Sequence, residues 1–300
     1  MTDMTTDTPI ATTPQVPKKR IKWNVVTDHA VLILGSLFML LPVVLAFTTA
    51  SHDAVTIHRE GLQLKMGDQL GTNFRLAMFE KGGFTETVDG MKMLTNSFIL
   101  GIGFAVGKII IGMMAAYAIV YFRLKFATFA FWIIFTTLLL PLEVRILPSY
   151  EVIQGLGLTN TYTGLIVPLI ASATATFFFR QYFRSVPEEL VEASRIDGAG
   201  PVKFFVDILV PLSRTMIAAM FIIMFVYGWN QYLWPTLITT EEGFFTLVRG
   251  IKQIVISYTD AAIPEHGQAL ALAFVAIVPP VLVVIFFQNW FVKGLTESDK

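Results

Sequence analysis

Apolar and polar positions along this chain fall into long blocks. Six stretches are almost free of charge: Ala30 to Ala50, Leu94 to Phe122, Phe126 to Leu142, Tyr162 to Phe179, Thr215 to Leu237 and Gly267 to Val292. Each is close to the ~20 residues that a helix needs to cross the hydrocarbon core of a bilayer. The pattern predicts an all-α, polytopic membrane protein with six transmembrane helices, the third short and either tilted or extended past Glu143. Around them, residues 1–24, rich in Thr and Pro, read as a disordered tail, and 25–50 as the first transmembrane helix. Residues 51–93 mix charges with Gly and scattered apolar positions and read as a small extracytoplasmic cap beside that helix. Residues 94–292 form a five-helix core, interrupted by a charged loop at 184–214, and 293–300 a short tail.

Composition removes the soluble alternative: 54% of residues are hydrophobic and 15% charged, with a mean hydropathy of +0.65, too apolar for a soluble domain of this length. The 22 basic and 22 acidic residues cancel, so only their placement informs. With the amino terminus inside, thirteen Lys and Arg fall on the inner side, among them Lys18, Lys19, Arg20 and Lys22, against eight on the outer side. The positive-inside bias therefore assigns both termini and the 184–214 loop to the cytoplasm. The first apolar run exceeds a signal-peptide core and no small-x-small cleavage site follows it, so a retained anchor is expected.

Several chemistries are excluded. No cysteine is present, which removes disulfides, thiolate metal sites and cysteine nucleophiles. The four histidines, His29, His52, His58 and His266, have no metal-ligand spacing. No Ser-His-Asp, HExxH or paired-carboxylate arrangement occurs, so neither a catalytic residue nor a metal ligand is assigned, and no nucleic-acid partner is expected. The segment Gly101–Lys108 imitates a Walker A loop but fails it, because five residues separate Gly101 from Gly107 and Ile109 stands where Ser or Thr would bind magnesium. Gly103 and Gly107 read instead as a GxxxG contact face, and no cofactor is expected on this chain.

Lys108 is the one charge deep inside a predicted span. Placing it there costs about 2.5–3.5 kcal/mol on insertion scales, so it should face protein or water. A cation in a transport pathway would suit a phosphate-bearing solute; the alternative is a lysine that snorkels or pairs with a carbonyl. In the fifth span, Trp229, Asn230 and Gln231 combine amides with aromatic rings, which can hydrogen-bond hydroxyls and stack on a polyol. An interfacial aromatic belt would explain Tyr232 and Trp234 equally well. Glu143 and Arg145, at the outer end of a helix, are expected to form an interfacial ion pair or a contact with a soluble partner.

The 184–214 loop is the most specific feature. Pro187 opens a short helix with Leu190, Val191, Ser194 and Ile196 on one side and Glu188, Glu189, Glu192 and Arg195 on the other. Gly198, within Asp197-Gly198-Ala199-Gly200-Pro201, is placed to end the helix and reverse the chain. A second helix from Val202 carries Phe204, Phe205 and Ile208 until Pro211 closes it. Such a helical knob suits a groove on a soluble partner, or it lies as an amphipathic loop on the membrane surface.

The series Glu192-Ala193-Ser194, three residues, Gly198, nine residues, Ile208, one residue, Val210-Pro211 resembles the EAA loop of the inner-membrane permeases of ATP-binding-cassette importers. Ser194 replaces an alanine and Val210 a leucine. Leu139 to Ile153, Ala171 to Phe183, Phe225 to Pro235 and Phe291 to Lys300 extend the likeness to the carbohydrate-uptake branch, and within it to sn-glycerol-3-phosphate importers. The resemblance implies a type I importer permease fold in the bacterial inner membrane. It implies a heterodimer with a second, homologous permease, two ATP-binding subunits that hold ATP and Mg, and a periplasmic solute-binding protein. Glu188, Glu189, Glu192, Ala193, Ser194, Asp197, Gly198, Ala199, Ile208 and Pro211 then form the ATPase-coupling loop. The expected solute is sn-glycerol-3-phosphate or a related glycerophosphodiester; an uncharged sugar or oligosaccharide is the alternative. An ion-coupled secondary transporter would be expected to carry acids within its spans, and a membrane-embedded enzyme needs a constellation that is missing.

Overall fold

In the computed structural model the protein is described over residues 23–80, 87–256 and 263–296, and every regular element among them is helical. Of the tail expected at 1–24, residues 1–22 lie outside the described residues, as do 297–300 and part of the 51–93 segment, while Trp23 and Asn24 already belong to the first helix. The chain divides into two compact units, 1–44 and 45–300.

The first unit is most of α1 (Trp23–Thr49), whose apolar side chains are exposed all round, Phe38 and Met39 by 72% and 74%. A helix without a polar face is suited to lipid rather than to water. Its polar side chains turn back on the backbone: Ser36 Oγ donates to Leu32 O at 2.8 Å, and His29 Nδ1 lies 2.6 Å from Val25 O.

The second unit begins at the last turn of α1. Helices α2 (Ala54–Glu60) and α3 (Leu70–Phe79) follow. They are folded against that turn by Asn73 Nδ2, which donates to Ala50 O and His52 O, both at 2.9 Å, and by Gly67 N, which donates to Ser51 Oγ at 2.6 Å. Asp89 caps α4 (Gly90–Tyr121) by accepting Lys92 N at 2.8 Å. Then come α5 (Ala127–Thr136), a 3-10 turn and α6 (Leu142–Gly155), followed by α7 (Tyr162–Ile166) and α8 (Ala173–Ser185). The charged loop forms α9 (Glu188–Ile196) and α10 (Pro201–Leu212), and the chain closes with α11 (Arg214–Trp229), α12 (Leu233–Ile238), α13 (Leu247–Ile256) and α14 (His266–Thr296).

Among the described residues, three helices are singly long and apolar enough to cross a membrane, and three bent pairs bring the number to as many as six. The third expected span is not one rod. It turns by 103° between α5 and α6, where Pro141 takes an extended conformation, because proline disfavours helix in the residue before it and supplies no N–H of its own. The fourth bends by 49° between Leu169 and Ala173. Helix α14 runs to Thr296, so Lys293 to Thr296, expected to begin a tail, continue the helix.

Helix α4 is the hub: α8 and α11 pack on it, and α11 also packs on α14. Small residues set these approaches. A Cβ on Gly103 would come within 2.5 Å of Ile166 Cδ1, and one on Gly107 within 2.5 Å of Ile170 Cγ2. The predicted GxxxG face is therefore a contact face, set against the end of α7 and the segment that follows it. Gly101 faces the Phe225 ring, and Gly228 of α11 faces Phe104. With little hydrophobic force between helices in lipid, such close backbone approach is what holds them together. At the end of the bundle away from α9, Asn96 Nδ2 donates to Gly243 O and Phe245 O, each at 2.9 Å, and Trp234 Nε1 donates to Leu165 O at 2.9 Å. Helix α3 covers α14 and α4 at that same end.

Candidate functional sites: an exposed helical turn and a cation-lined cavity

Helix α9 begins at Pro187 with Glu188 and Glu189 in its first turn, where acids complement the partial positive charge of the helix end. It ends in a Schellman turn: Gly198 N donates to Arg195 O at 3.1 Å and Ala199 N to Ser194 O at 2.9 Å, with Gly198 at φ 74°. That left-handed conformation suits glycine, since a Cβ would crowd the following carbonyl. Gly200 and Pro201 then start α10. Its middle, Phe204–Leu209, is widened into a π-helix ahead of Pro211, which gives the proline ring the room it would lack against a tight i−4 carbonyl. Contrary to the expectation from the sequence, Pro211 does not close the helix. The break comes two residues later at Ser213, whose Oγ donates to Leu209 O at 2.6 Å, and the chain turns by 76° into α11.

Tyrosines at the ends of α4 and α8 anchor this knob. Tyr117 Oη donates to Pro201 O at 2.9 Å, Tyr182 Oη to Leu212 O at 2.7 Å, and the Tyr121 ring meets Phe204 edge-on at 5.4 Å. Val191, Ser194, Phe204 and Leu209 are buried, whereas Phe205 and Ile208 are half-buried. The expected apolar side of α9 is thus only half right: Val191 and Ser194 face inward, but Leu190 is exposed and Ile196 is 85% exposed. Val202 is exposed by 77%, so the turn at Gly198 is flanked on either side in the chain by an exposed apolar residue. Glu188, Glu189, Glu192, Ala193, Asp197 and Pro211 are exposed around it and Ala199 half-buried. Glu188 and Glu192 also border a cavity of about 520 Å³ with Arg123, Arg180, Arg184 and Arg195. An exposed apolar pair ringed by charge on a rigid turn has the character of a docking surface.

The second site lies inside the bundle. Lys108 is 7% exposed, and its Nζ sits 4.9 Å from the Tyr227 ring and 5.4 Å from that of Phe104. It lines a cavity of about 280 Å³ together with Arg145, Tyr227, Thr137 and the residues that start α8. The Walker-like segment around it is regular helix. Asn230 and Gln231 line a neighbouring cavity of about 420 Å³ with Glu143 and Tyr232, and Tyr227 forms a wall of both. Trp229 does not join them. It is 1% exposed, edge-on to Phe98 and tilted against Phe225, and its Nε1 donates to Ala276 O at 2.9 Å; burial and a satisfied N–H make it a packing residue between α11 and α14.

Glu143 and Arg145 part company in the same way. They line different cavities, and the ion pair seen among the described residues is a different one, Arg75 to Glu80 at 3.8 Å. Arg145 is the functional candidate that sequence reasoning placed elsewhere. The available signal was Pro141 four residues earlier, which turns the chain and carries Arg145 to the Lys108 cavity. Among the described residues no group of His, Asp or Glu has the arrangement of a metal site.

Comparison with known proteins gives a consistent result. Residues 108–297 match the family model described as binding-protein-dependent transport system inner membrane component. The sn-glycerol-3-phosphate transport system permease protein UgpE of Brucella melitensis biotype 1 is 50% identical over 275 residues, covering 91% of this chain and 96% of that one. The protein of that name in Agrobacterium fabrum is 49% identical over 278 residues, covering 92% and 97%. Among solved structures, a chain of a bacterial ABC transporter involved in the import of the acidic polysaccharide alginate superposes with a TM-score of 0.74 at 19% identity, covering 93% of this chain and all of that one.

Proposed function

This chain belongs to the family of binding-protein-dependent transport system inner membrane components, and from that footing we propose that it carries sn-glycerol-3-phosphate across the inner membrane as one permease subunit of an ATP-driven importer. The observation that supports this most strongly is near-50% identity, over almost the whole length of both chains, to permeases named for that solute. The chain spans the membrane several times. On our reading it forms half of the pathway, pairs with a second permease, receives solute from a periplasmic binding protein and leaves ATP and Mg to two partner ATPase subunits. Both termini and the α9–α10 knob then face the cytoplasm, where the ATPase must be.

The knob gives this reading a physical mechanism. An ATPase that closes on ATP must push on something stiff. The Schellman turn and the tyrosine anchors hold Ile196 and Val202 out as a rigid tip, and the short bend at Ser213 joins that tip to α11, which crosses the bundle core. Movement of the tip is thereby transmitted to the helix that carries Tyr227 and leads directly into Asn230 and Gln231. The test is capture of the ATPase. Gly198→Val imposes a β-branched side chain on a left-handed backbone, a strain of about 1–2 kcal/mol, and Glu192→Lys reverses charge at the docking face. Both variants are expected to insert in the membrane at wild-type levels, co-purify with less ATPase and lose most ATP-driven uptake. Normal capture and normal uptake in both would remove the knob from the coupling mechanism.

A further inference from the structure

The cavity beside Lys108 is positive on three sides. More than nine-tenths of the Lys108 side chain is removed from solvent, and among the described residues its ammonium has ring faces for neighbours but neither a hydrogen bond nor a carboxylate. A cation held in that way is costly unless something negative visits it. The bend at Pro141 adds Arg145 to the same cavity. The third wall is the start of α8, a helix of 13 residues whose first residues, from Ser172 to Thr174, border the space. Ser172 Oγ accepts the N–H of Ala175; the N–H groups ahead of it have no intrahelical acceptor, and the helix dipole favours an anion there. No Asp or Glu lines the cavity.

We propose that Lys108, Arg145 and the first turn of α8 form a binding site for the phosphate group of a small phosphomonoester in transit. The inference rests on the transport reading above and deepens it by naming the residues that recognise the solute's charge. A phosphomonoester carries about −1.5 to −2 charges at neutral pH and offers three strong acceptor oxygens. A guanidinium can engage two of them in parallel, the ammonium serves as a point charge, and the helix terminus supplies N–H donors. The volume, about 280 Å³, falls just below the roughly 300 to 1,000 Å³ of drug-sized ligand pockets. It suits a three-carbon phosphate better than an oligosaccharide. Tyr227, shared with the Asn230 and Gln231 cavity, leads from the phosphate site to amides that can take hydroxyl groups. An uncharged polyol would leave both cations unpaired, so the site selects for phosphate.

Because the chain has no cysteine, charge at position 145 can be switched after assembly. The complete importer with Arg145→Cys in this chain, reconstituted in vesicles, would be assayed for uptake of radiolabelled sn-glycerol-3-phosphate before and after treatment with a cationic aminoethyl or an anionic sulfonatoethyl methanethiosulfonate. The wild-type complex, treated identically, controls for reaction elsewhere. The substitution is expected to slow uptake about tenfold or more. The cationic adduct should restore most of the rate and the anionic one should not. Equal rates with both adducts, in a wild-type complex that imports the phosphomonoester, would overturn the site and leave the transport reading standing. A wild-type complex that imports no phosphorylated solute would overturn both.

Discussion

Gly107 shows how little room this bundle leaves at its centre. A Cβ there would meet Ile170 at 2.5 Å from Cγ2 and 3.1 Å from Cβ, near the root of a branched side chain that cannot swing aside. Gly155, the last residue of α6, has open space around it. Gly107→Leu is therefore expected to destabilise the protein by about 1–3 kcal/mol, whereas Gly155→Ala should be neutral or gain up to about 1 kcal/mol from helix propensity. Thermal unfolding of the detergent-solubilised protein checks this; equal midpoints for the two variants would show that α4 does not pack as described. Residue types alone made Gly103 and Gly107 legible as a contact face. They also made Lys108 legible as an inward-facing cation, because a charge in lipid is expensive whatever surrounds it. Trp229 was not legible in the same way. An indole beside two amides looks the same in sequence whether its N–H awaits a solute or, as here, reaches Ala276 O across a helix interface.

At the scale of elements, apolar patterning found where the spans lie but not their direction. Hydrophobicity counts residues and carries no angle, so the 103° turn at Pro141 and the 49° turn before Ala173 were hidden inside runs that read as continuous. Arg145 follows from the first of these turns, and the open start of α8 from the second. The α9–α10 knob was more legible, since the spacing of Gly198 and Pro201 dictates a turn, yet the face of each side chain was not. Ser194 is 4% exposed and Ile196 is 85% exposed, although the sequence pattern places both on one apolar side. The difference can be measured. A single cysteine at Ile196 should react strongly with an impermeant thiol reagent in inside-out vesicles and little in intact spheroplasts, one at Ser194 weakly in both, and one at Lys65 in the opposite sense to Ile196. Strong labelling of Ile196→Cys in intact spheroplasts would invert the proposed topology.

At the largest scale, residues 45–300 are a bundle built around α4, with an apolar tip at one end and, within it, a cavity lined by cations. On the reading proposed above, it contains the parts of a coupling device: a knob, a helix leading from it, and a cavity beside that helix. The solute and the energy source both enter from partners, and no single side chain in this sequence could have announced them. Long-range identity to named permeases supplies the solute, and the geometry supplies a reason why that solute should be anionic. The most direct test is uptake of sn-glycerol-3-phosphate by vesicles holding this chain, its partner permease and the ATPase, with binding protein added outside. Uptake that requires enclosed ATP and the binding protein, and that persists when ion gradients are collapsed, is the predicted result. Uptake that proceeds without ATP, or that stops when an ion gradient is dissipated, would contradict it.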